Sequence, residues 1–380
     1  MKRTIAAVTT SRADYSHLYW PLRELAARPD VEVKLIALGA HLAPEFGRTV
    51  FEIDRDEIPV AARIECLLSS DTDVGMAKSI GVATLGLADC LGRMRPDLLL
   101  LIADRYEMLA PASVATALRI PVAHIEGGEI TEGAIDDAIR NALTKLSHVH
   151  FTSTERARAR VIAMGEQEWR VRCTGAPSLD HLRRGALKSR EQIQAELGVD
   201  LTQPVILAAF HPLTIARETT REAGAFFAAL RTLADPILFC YPNADAGSRQ
   251  LIERTREFVA KRATARMFVN LNPASYWSLL RAVGLVVGNS SSGIMEAASF
   301  ALPVVNVGMR QRGRERGRNV LDAGATPQSI LEQIAIAKTR EFRCSLQGIE
   351  NPYGDGHASE RIAEVLATVP LDEDLRIKRA

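Results

Sequence analysis

Two apolar runs in this chain each end in a carboxylate. Leu98-Leu99-Leu100-Leu101-Ile102 runs into Ala103-Asp104-Arg105, and Ile120-Pro121-Val122-Ala123-His124-Ile125 runs into Glu126-Gly127-Gly128-Glu129. The alanine-rich stretch from Met108 to Leu118 between them reads as a helix, so the order is strand, helix, strand. Right-handed crossovers make such strands parallel neighbours. Their carboxyl ends then open on the edge where α/β proteins hold ligands. Asp104 and Glu126 would share that edge, where paired carboxylates suit acid/base chemistry. Strand-end acids also cap the helices that follow them, and from this pair alone the two readings stand level.

The alternation extends along the whole chain. Strand-type runs fall at 4–9, 31–38, 97–102, 120–125, 148–152 and near 170–174, with helical stretches at 18–28, 77–94 and 134–146. A charged linker at 177–190 breaks the composition, and a second series starts at 204–210, 236–241, 266–270, 283–287 and 302–307. At 380 residues the chain is too long for one ordinary core. The expected fold is therefore α/β, two doubly wound Rossmann-like domains. The first spans 1–178, with the helical segment 357–380 packing back on it, and the second spans 179–356.

Composition narrows the function classes. Hydrophobic residues make up 47% and aromatics 5%, which suits α/β layers rather than a β-sandwich. Net charge is +1, so nothing global attracts nucleic acid or a membrane. No apolar stretch approaches the ~20 residues of a membrane span, and Met1-Lys2-Arg3 leads straight into a strand rather than a signal peptide. The five cysteines are scattered, with no C-x-x-C pair, as in a cytoplasmic protein. No His/Cys/Asp cluster has metal-site spacing, so neither a metal nor another cofactor is expected.

The clearest ligand signal lies in the second series. Val283 to Val287 leads into Gly288-Asn289-Ser290-Ser291-Ser292-Gly293, a strand, a turn of small residues and a helix start. Small residues let the backbone approach a ligand, and helix-start N–H groups favour phosphate. Glu296, about one turn into the helix, could accept hydrogen bonds from a ribose diol. A capped helix start gives the same pattern. Further on, five arginines alternate with other residues from Arg310 to Arg318. Such a run is usually a solvated loop. Its position after a strand points to pairing of one or more arginines with a diphosphate, and the absence of aromatics argues against a nucleic-acid surface. After the first strand stands Thr9-Thr10-Ser11-Arg12-Ala13-Asp14-Tyr15-Ser16 and no G-x-G-x-x-G, which disfavours a dinucleotide dehydrogenase.

Together these segments resemble the hydrolysing UDP-N-acetylglucosamine 2-epimerases of sialic acid and related nonulosonic acid biosynthesis. The resemblance runs through Ser11-Arg12-Ala13-Asp14-Tyr15, Asp104-Arg105-Tyr106-Glu107, His124-Ile125-Glu126-Gly127-Gly128-Glu129 and Gly133-Ala134-Ile135-Asp136-Asp137-Ala138-Ile139-Arg140. It continues in Phe210-His211-Pro212, Tyr241-Pro242-Asn243, Gly288 to Gly293 and Arg310-Gln311. It implies a glycosyltransferase-B-like fold and a UDP-sugar substrate. It places Arg12, Ser16, Arg105, Asn243, Ser290, Ser291, Glu296 and Arg310 on the nucleotide diphosphate, with Asp104, Glu126, Asp136 and His211 as the catalytic set. A homo-oligomer, dimer or tetramer, is implied as well. Two positions depart from the pattern: Ala103 replaces a glycine before the Asp-Arg pair, and Asn141 stands where a histidine follows Ile-Arg.

The chemistry these residues support is elimination of UDP from an N-acetylhexosamine, followed by hydration of the glycal. Arginines, Ser290/Ser291 and His211 would stabilise the departing diphosphate. A carboxylate from Asp104, Glu126 or Asp136 would take the C2 proton, and a second would return one to the other face. Arg105 is expected to keep its neighbour Asp104 ionised. The implied substrate is UDP-N-acetylglucosamine, with UDP-N,N'-diacetylbacillosamine, the legionaminic acid route, as the alternative. A glycosyltransferase of the same fold, or a non-catalytic nucleotide-sugar sensor, would also explain the serine turn, but neither needs three carboxylates.

Overall fold

Seven runs form one parallel sheet: β1 (Arg3–Thr9), β2 (Val31–Leu38), β3 (Val60–Ile64), β4 (Leu98–Ile102), β5 (Val122–Ile125), β6 (Val149–Thr152) and β7 (Val171–Cys173). Their order is β3-β2-β1-β4-β5-β6-β7. All five residues of β4 are buried, as a central strand covered on both faces requires. The order reverses between β1 and β4, the place where doubly wound sheets bind ligands. Arg12, Asp104 and Glu126 follow β1, β4 and β5.

Helix Arg12–Ala26 starts six residues earlier than the apolar pattern suggests, because its first turn is polar. It buries Leu18, Leu22 and Leu25, spaced along one face, and packs against helix Ala358–Thr368. Arg3 donates to the Leu366 carbonyl at 2.7 Å. The tail beyond that helix is held as well. Arg170 donates to the carbonyls of Leu375 and Ile377 at 2.7 and 2.9 Å, and Lys378 reaches Glu166 at 2.7 Å.

A second parallel sheet contains β8 (Ile206–Ala209), β9 (Ile237–Cys240), β10 (Ala265–Phe268), β11 (Leu285–Gly288), β12 (Val304–Val307) and β13 (Val320–Ala323), in the order β10-β9-β8-β11-β12-β13. Its order reverses between β8 and β11. Phe226, Phe227, Phe239 and Phe258 fill one face, and Leu279, Leu280 and Val304 contribute to the other.

This computed structural model describes residues 2–379 and separates into two compact units. The first comprises residues 1–129, 136–183 and 353–380, and the second 130–135 and 184–352. The short piece 130–135 packs within the second unit: Glu132 N–H donates to the Arg312 carbonyl at 3.1 Å, and Ile135 N–H to Thr214 Oγ1 at 3.1 Å. Two strands absent from the sequence reading, β3 and β13, lie at sheet edges, where partial exposure weakens the apolar signal. One helix among the described residues, Asp73–Met94, has the length and composition to cross a membrane, contrary to the expectation of none. Charged Lys78, Asp89 and Arg93 break its apolar run in the sequence, and its buried Ala83, Leu87 and Leu91 belong to the core of the first unit.

Candidate active site

In the first unit, the turn after β1 is built around Asp14. Its carboxylate accepts from the N–H groups of Thr10 and Ser11, both at 2.7 Å, and from their hydroxyls at 2.9 and 3.0 Å. That is a helix-start role. It leaves Arg12 and Ser16 half-buried on the first turns of the helix, both presented at the carboxyl edge of the sheet. The Ser16 carbonyl accepts from His181 Nε2 at 3.1 Å, while Trp20 Nε1 donates to His181 Nδ1 at 3.1 Å. These bonds fix a neutral imidazole, and burial holds its pKa near 4.

The turns after β4 and β5 are left-handed at residues with side chains. Ala103 has φ 55° and Glu126 φ 66°. Left-handed backbone costs a non-glycine residue roughly 1–2 kcal/mol, which is the physical reason a glycine suits position 103. Neighbouring hydrogen bonds hold both turns: Ala103 N–H to the Ile125 carbonyl at 2.9 Å, Glu126 N–H to Phe151 at 2.7 Å, and His124 Nε2 to the Ala103 carbonyl at 2.8 Å. Strained backbone of this kind concentrates at functional sites.

The structure gives Asp104 a partner that the sequence reading did not name. Buried Arg140, from helix Asp136–Leu146, pairs with the Asp104 carboxylate, whereas Arg105 donates to buried Glu107 at 3.2 Å. Arg140 also donates to the Glu129 carbonyl at 2.9 Å. Asp136 stands four residues before Arg140 on the same helix, hence on the same face. The third carboxylate, Glu126, meets His17 of helix Arg12–Ala26, with Nδ1 and Oε1 2.6 Å apart. Sequence reasoning missed both Arg140 and His17. Arg140 lay inside a quoted motif without a role, and His17 is 109 positions from Glu126. Asn141 donates to Asp137 at 3.3 Å.

The second unit gathers the remaining predicted residues around Asn289. This buried amide clamps the backbone that carries His211, accepting from its N–H at 2.7 Å and donating to its carbonyl at 2.9 Å. The Asn243 N–H donates to His211 Nδ1 at 3.3 Å, so in the neutral ring the proton sits on Nε2. Arg310 and Gln311 both donate to the Asn289 carbonyl at 3.0 Å. Ser290 and Ser291 stand beside it, half-buried at the start of the short helix Ser291–Met295. Ser292 donates to buried Glu296 at 2.5 Å, and Tyr276 bonds Ser292 in turn. Of the arginine run, Arg312 pairs with Glu132 at 3.1 Å, Arg316 pairs with Asp322, and Arg318 donates to the Gln347 carbonyl at 2.8 Å. Arg310 reaches the Asn289 turn by a hydrogen bond of its own guanidinium. Among the described residues no cluster of His, Cys, Asp or Glu has the arrangement of a metal site.

A family model described as UDP-N-acetylglucosamine 2-epimerase matches residues 23–367. The chain belongs to that family. It is 36% identical over 378 residues to a UDP-N,N'-diacetylbacillosamine 2-epimerase (hydrolyzing) of Legionella pneumophila, covering 99% of this chain and 98% of the relative. It is 30% identical to a UDP-N-acetylglucosamine 2-epimerase of Neisseria meningitidis, covering 96% and 95%. Its fold matches the crystal structure of UDP-GlcNAc 2-epimerase from Neisseria meningitidis bound to UDP-GlcNAc, with TM-score 0.80, 20% identity and coverage of 96% and 99%. As a member of the UDP-N-acetylglucosamine 2-epimerase family the chain is an enzyme, and the glycosyltransferase and sensor readings give way.

Proposed function

We propose that this chain is a hydrolysing 2-epimerase that releases UDP from a UDP-linked 2-acetamido sugar and inverts its C2 centre. The preferred sugar is the diacetylated 4-acetamido-6-deoxy type, and UDP-N-acetylglucosamine is the second reading. The preference is supported by 36% identity to the Legionella enzyme against 30% to the Neisseria one.

The reading is carried by one observation: Asp104 and Glu126 leave neighbouring parallel strands through left-handed turns, with Asp136 on the helix whose Arg140 binds Asp104. A carboxylate of this set takes the C2 proton. The C–H electron pair forms the C1–C2 double bond, and the anomeric C–O bond breaks with its electrons leaving on UDP. Water then gives hydroxide to C1 and its proton to a carboxylate, while a second acid delivers a proton to the opposite face of C2. Around the leaving group, His211 Nε2–H, the Ser290 and Ser291 hydroxyls and the Arg310 guanidinium supply donors for the diphosphate. Asn243 orients His211, Arg12, Ser16 and Arg105 add polar contacts to the nucleotide, and Glu296 accepts from the ribose diol.

Incubation with each UDP-sugar in ¹⁸O-labelled and in deuterated water tests the reading. The expected products are unlabelled UDP and a manno-configured sugar with ¹⁸O at C1 and deuterium at C2. Label in UDP, or absence of deuterium at C2, overturns the mechanism. A higher kcat/KM for UDP-N-acetylglucosamine overturns the substrate preference alone.

A further inference from the structure

We propose that His17 is a positioning residue for Glu126, holding its carboxylate in line and setting which partner carries the proton between them. The inference rests on the reading above that Glu126 belongs to the carboxylate set that moves protons at C2. No motif of the sequence assigned His17 a role.

The geometry is specific. His17 Nδ1 lies 2.6 Å from Glu126 Oε1, a charge-assisted distance, with side-chain exposures of 17% and 6%. An ionised carboxylate only accepts, so in that state Nδ1 carries the proton; once Glu126 is protonated, its O–H donates to the bare Nδ1. The pair thus shares one proton along one short axis. The Glu126 backbone is pinned in a left-handed turn by its N–H bond to the Phe151 carbonyl. With the backbone fixed, the short His17 contact constrains the direction of the carboxylate.

Helix Arg12–Ala26 is arranged to present this imidazole. Pro21 has no N–H to give to the carbonyl of His17, four residues earlier, so the helical ladder is interrupted there. The adjacent Ser16 carbonyl is held by His181. Two titratable groups sit electrostatically against the pair: His181, beside His17, and His124, beside Glu126. Burial keeps both neutral, with pKa values near 4, so neither competes for the shared proton near neutral pH.

Three variants test the proposal: His17→Leu removes the contact, His17→Asn keeps an N–H donor close to the Nδ1 position but cannot titrate, and Glu126→Gln tests the parent reading. His17→Leu is expected to lose roughly 10- to 100-fold in kcat, the scale of a misaimed catalytic group. Its KM and UDP affinity should stay within about threefold. His17→Asn is expected to recover most of kcat at its optimum while shifting one limb of the pH–kcat profile. Imidazole titration followed by NMR gives a readout independent of turnover: the His17 resonance should titrate lower in Glu126→Gln, where the charge is gone. A kcat within twofold of wild type in His17→Leu overturns the proposal. So does an unchanged pH profile in His17→Asn, or a His17 titration that ignores Glu126→Gln. If Glu126→Gln itself turns over normally, the parent reading fails; if it is inactive while His17→Leu is normal, only the positioning role fails.

Discussion

The candidate strand ends of the two units all bend through positive φ, but with different residues. In the second unit the bends are glycines, Gly288 at φ 147° and Gly308 at φ 75°. A Cβ at Gly288 would stand 1.9 Å from the Ala209 carbonyl oxygen, and one at Gly308 would stand 2.1 Å from the Glu222 carboxylate. In the first unit the equivalent bends are Ala103 and Glu126, strained and ringed by ion pairs. In the reading proposed above, the second unit offers hydroxyl, imidazole and Arg310 guanidinium donors to a diphosphate. The other spends conformational strain to aim charged side chains. The difference accords with the division of labour proposed above, with the donors around the leaving group mainly in the second unit and the proton-transferring carboxylates in the first.

The largest test of that contrast is acid. Seven of the eight histidines belong to the first unit. Burial lowers the pKa of His41 and His124 from 6.5 to about 4. A lowered imidazole pKa means the unfolded chain takes up protons first, so stability falls as pH drops from 6.5 toward 4. The loss approaches ~3 kcal/mol for each fully buried ring. Glu166 extends the trend. Burial alone would raise its pKa, but hydrogen bonds from His150, Lys145 and Lys378 outweigh it and bring the value to about 2. Its contribution, full above 4.5, is lost as pH falls toward 2. Peptide-resolved hydrogen exchange at pH 7 and 4.5 should show protection lost mainly in 1–129 and 136–183. Equal loss in 184–352 would break the comparison.

Gly288→Ala comes next. Steric overlap with the backbone of β8 should cost ~3 kcal/mol, read as a drop in the denaturant midpoint of the second unit. An unchanged midpoint would mean that this bend does not require glycine. Third are the carboxylates: Asp104→Asn, Glu126→Gln and Asp136→Asn should each lose at least ~100-fold in turnover while binding UDP normally. Ser291→Ala and Arg310→Ala should weaken UDP binding, measured by calorimetry. Reversal of the two patterns would sink the division of labour. The smallest effect is Ala103→Gly. Relief of roughly 1–2 kcal/mol of strain is offset by up to ~1 kcal/mol of added freedom in the unfolded chain. The net gain should stay under ~1 kcal/mol, and a loss would show that the methyl group packs usefully.

Much of this was legible in the sequence. Continuous apolar runs located β4 and β5, and the carboxylates at their ends could be placed on one sheet edge by topology alone. The small-residue turn at 288–293 was legible as a strand end running into a helix start, as the structure has it. The missed site contacts share a cause, since each depends on a partner far along the chain. Arg140 reaches Asp104 across 36 positions, and His17 reaches Glu126 across 109, neither of which leaves a local pattern. The arginine run misled in the opposite direction, because three of its five members are taken by Glu132, Asp322 and the Gln347 carbonyl. Edge strands β3 and β13 escaped because half-exposed segments carry a diluted apolar signal.

The short piece 130–135 has a consequence for how this chain can be cut. Its six residues belong to the second unit but are strung between Glu129 and Asp136 of the first, and the last 28 residues return to the first unit. The polypeptide therefore changes unit four times, at 129/130, 135/136, 183/184 and 352/353. No single scission frees an intact half: a fragment ending at 183 lacks Lys378 for Glu166, and one beginning at 184 lacks the Glu132 strand of contacts to Arg312. Exchange of one half between relatives by a single crossover would carry the same defect. Only a swap with matched junctions at all four points would transplant a complete unit.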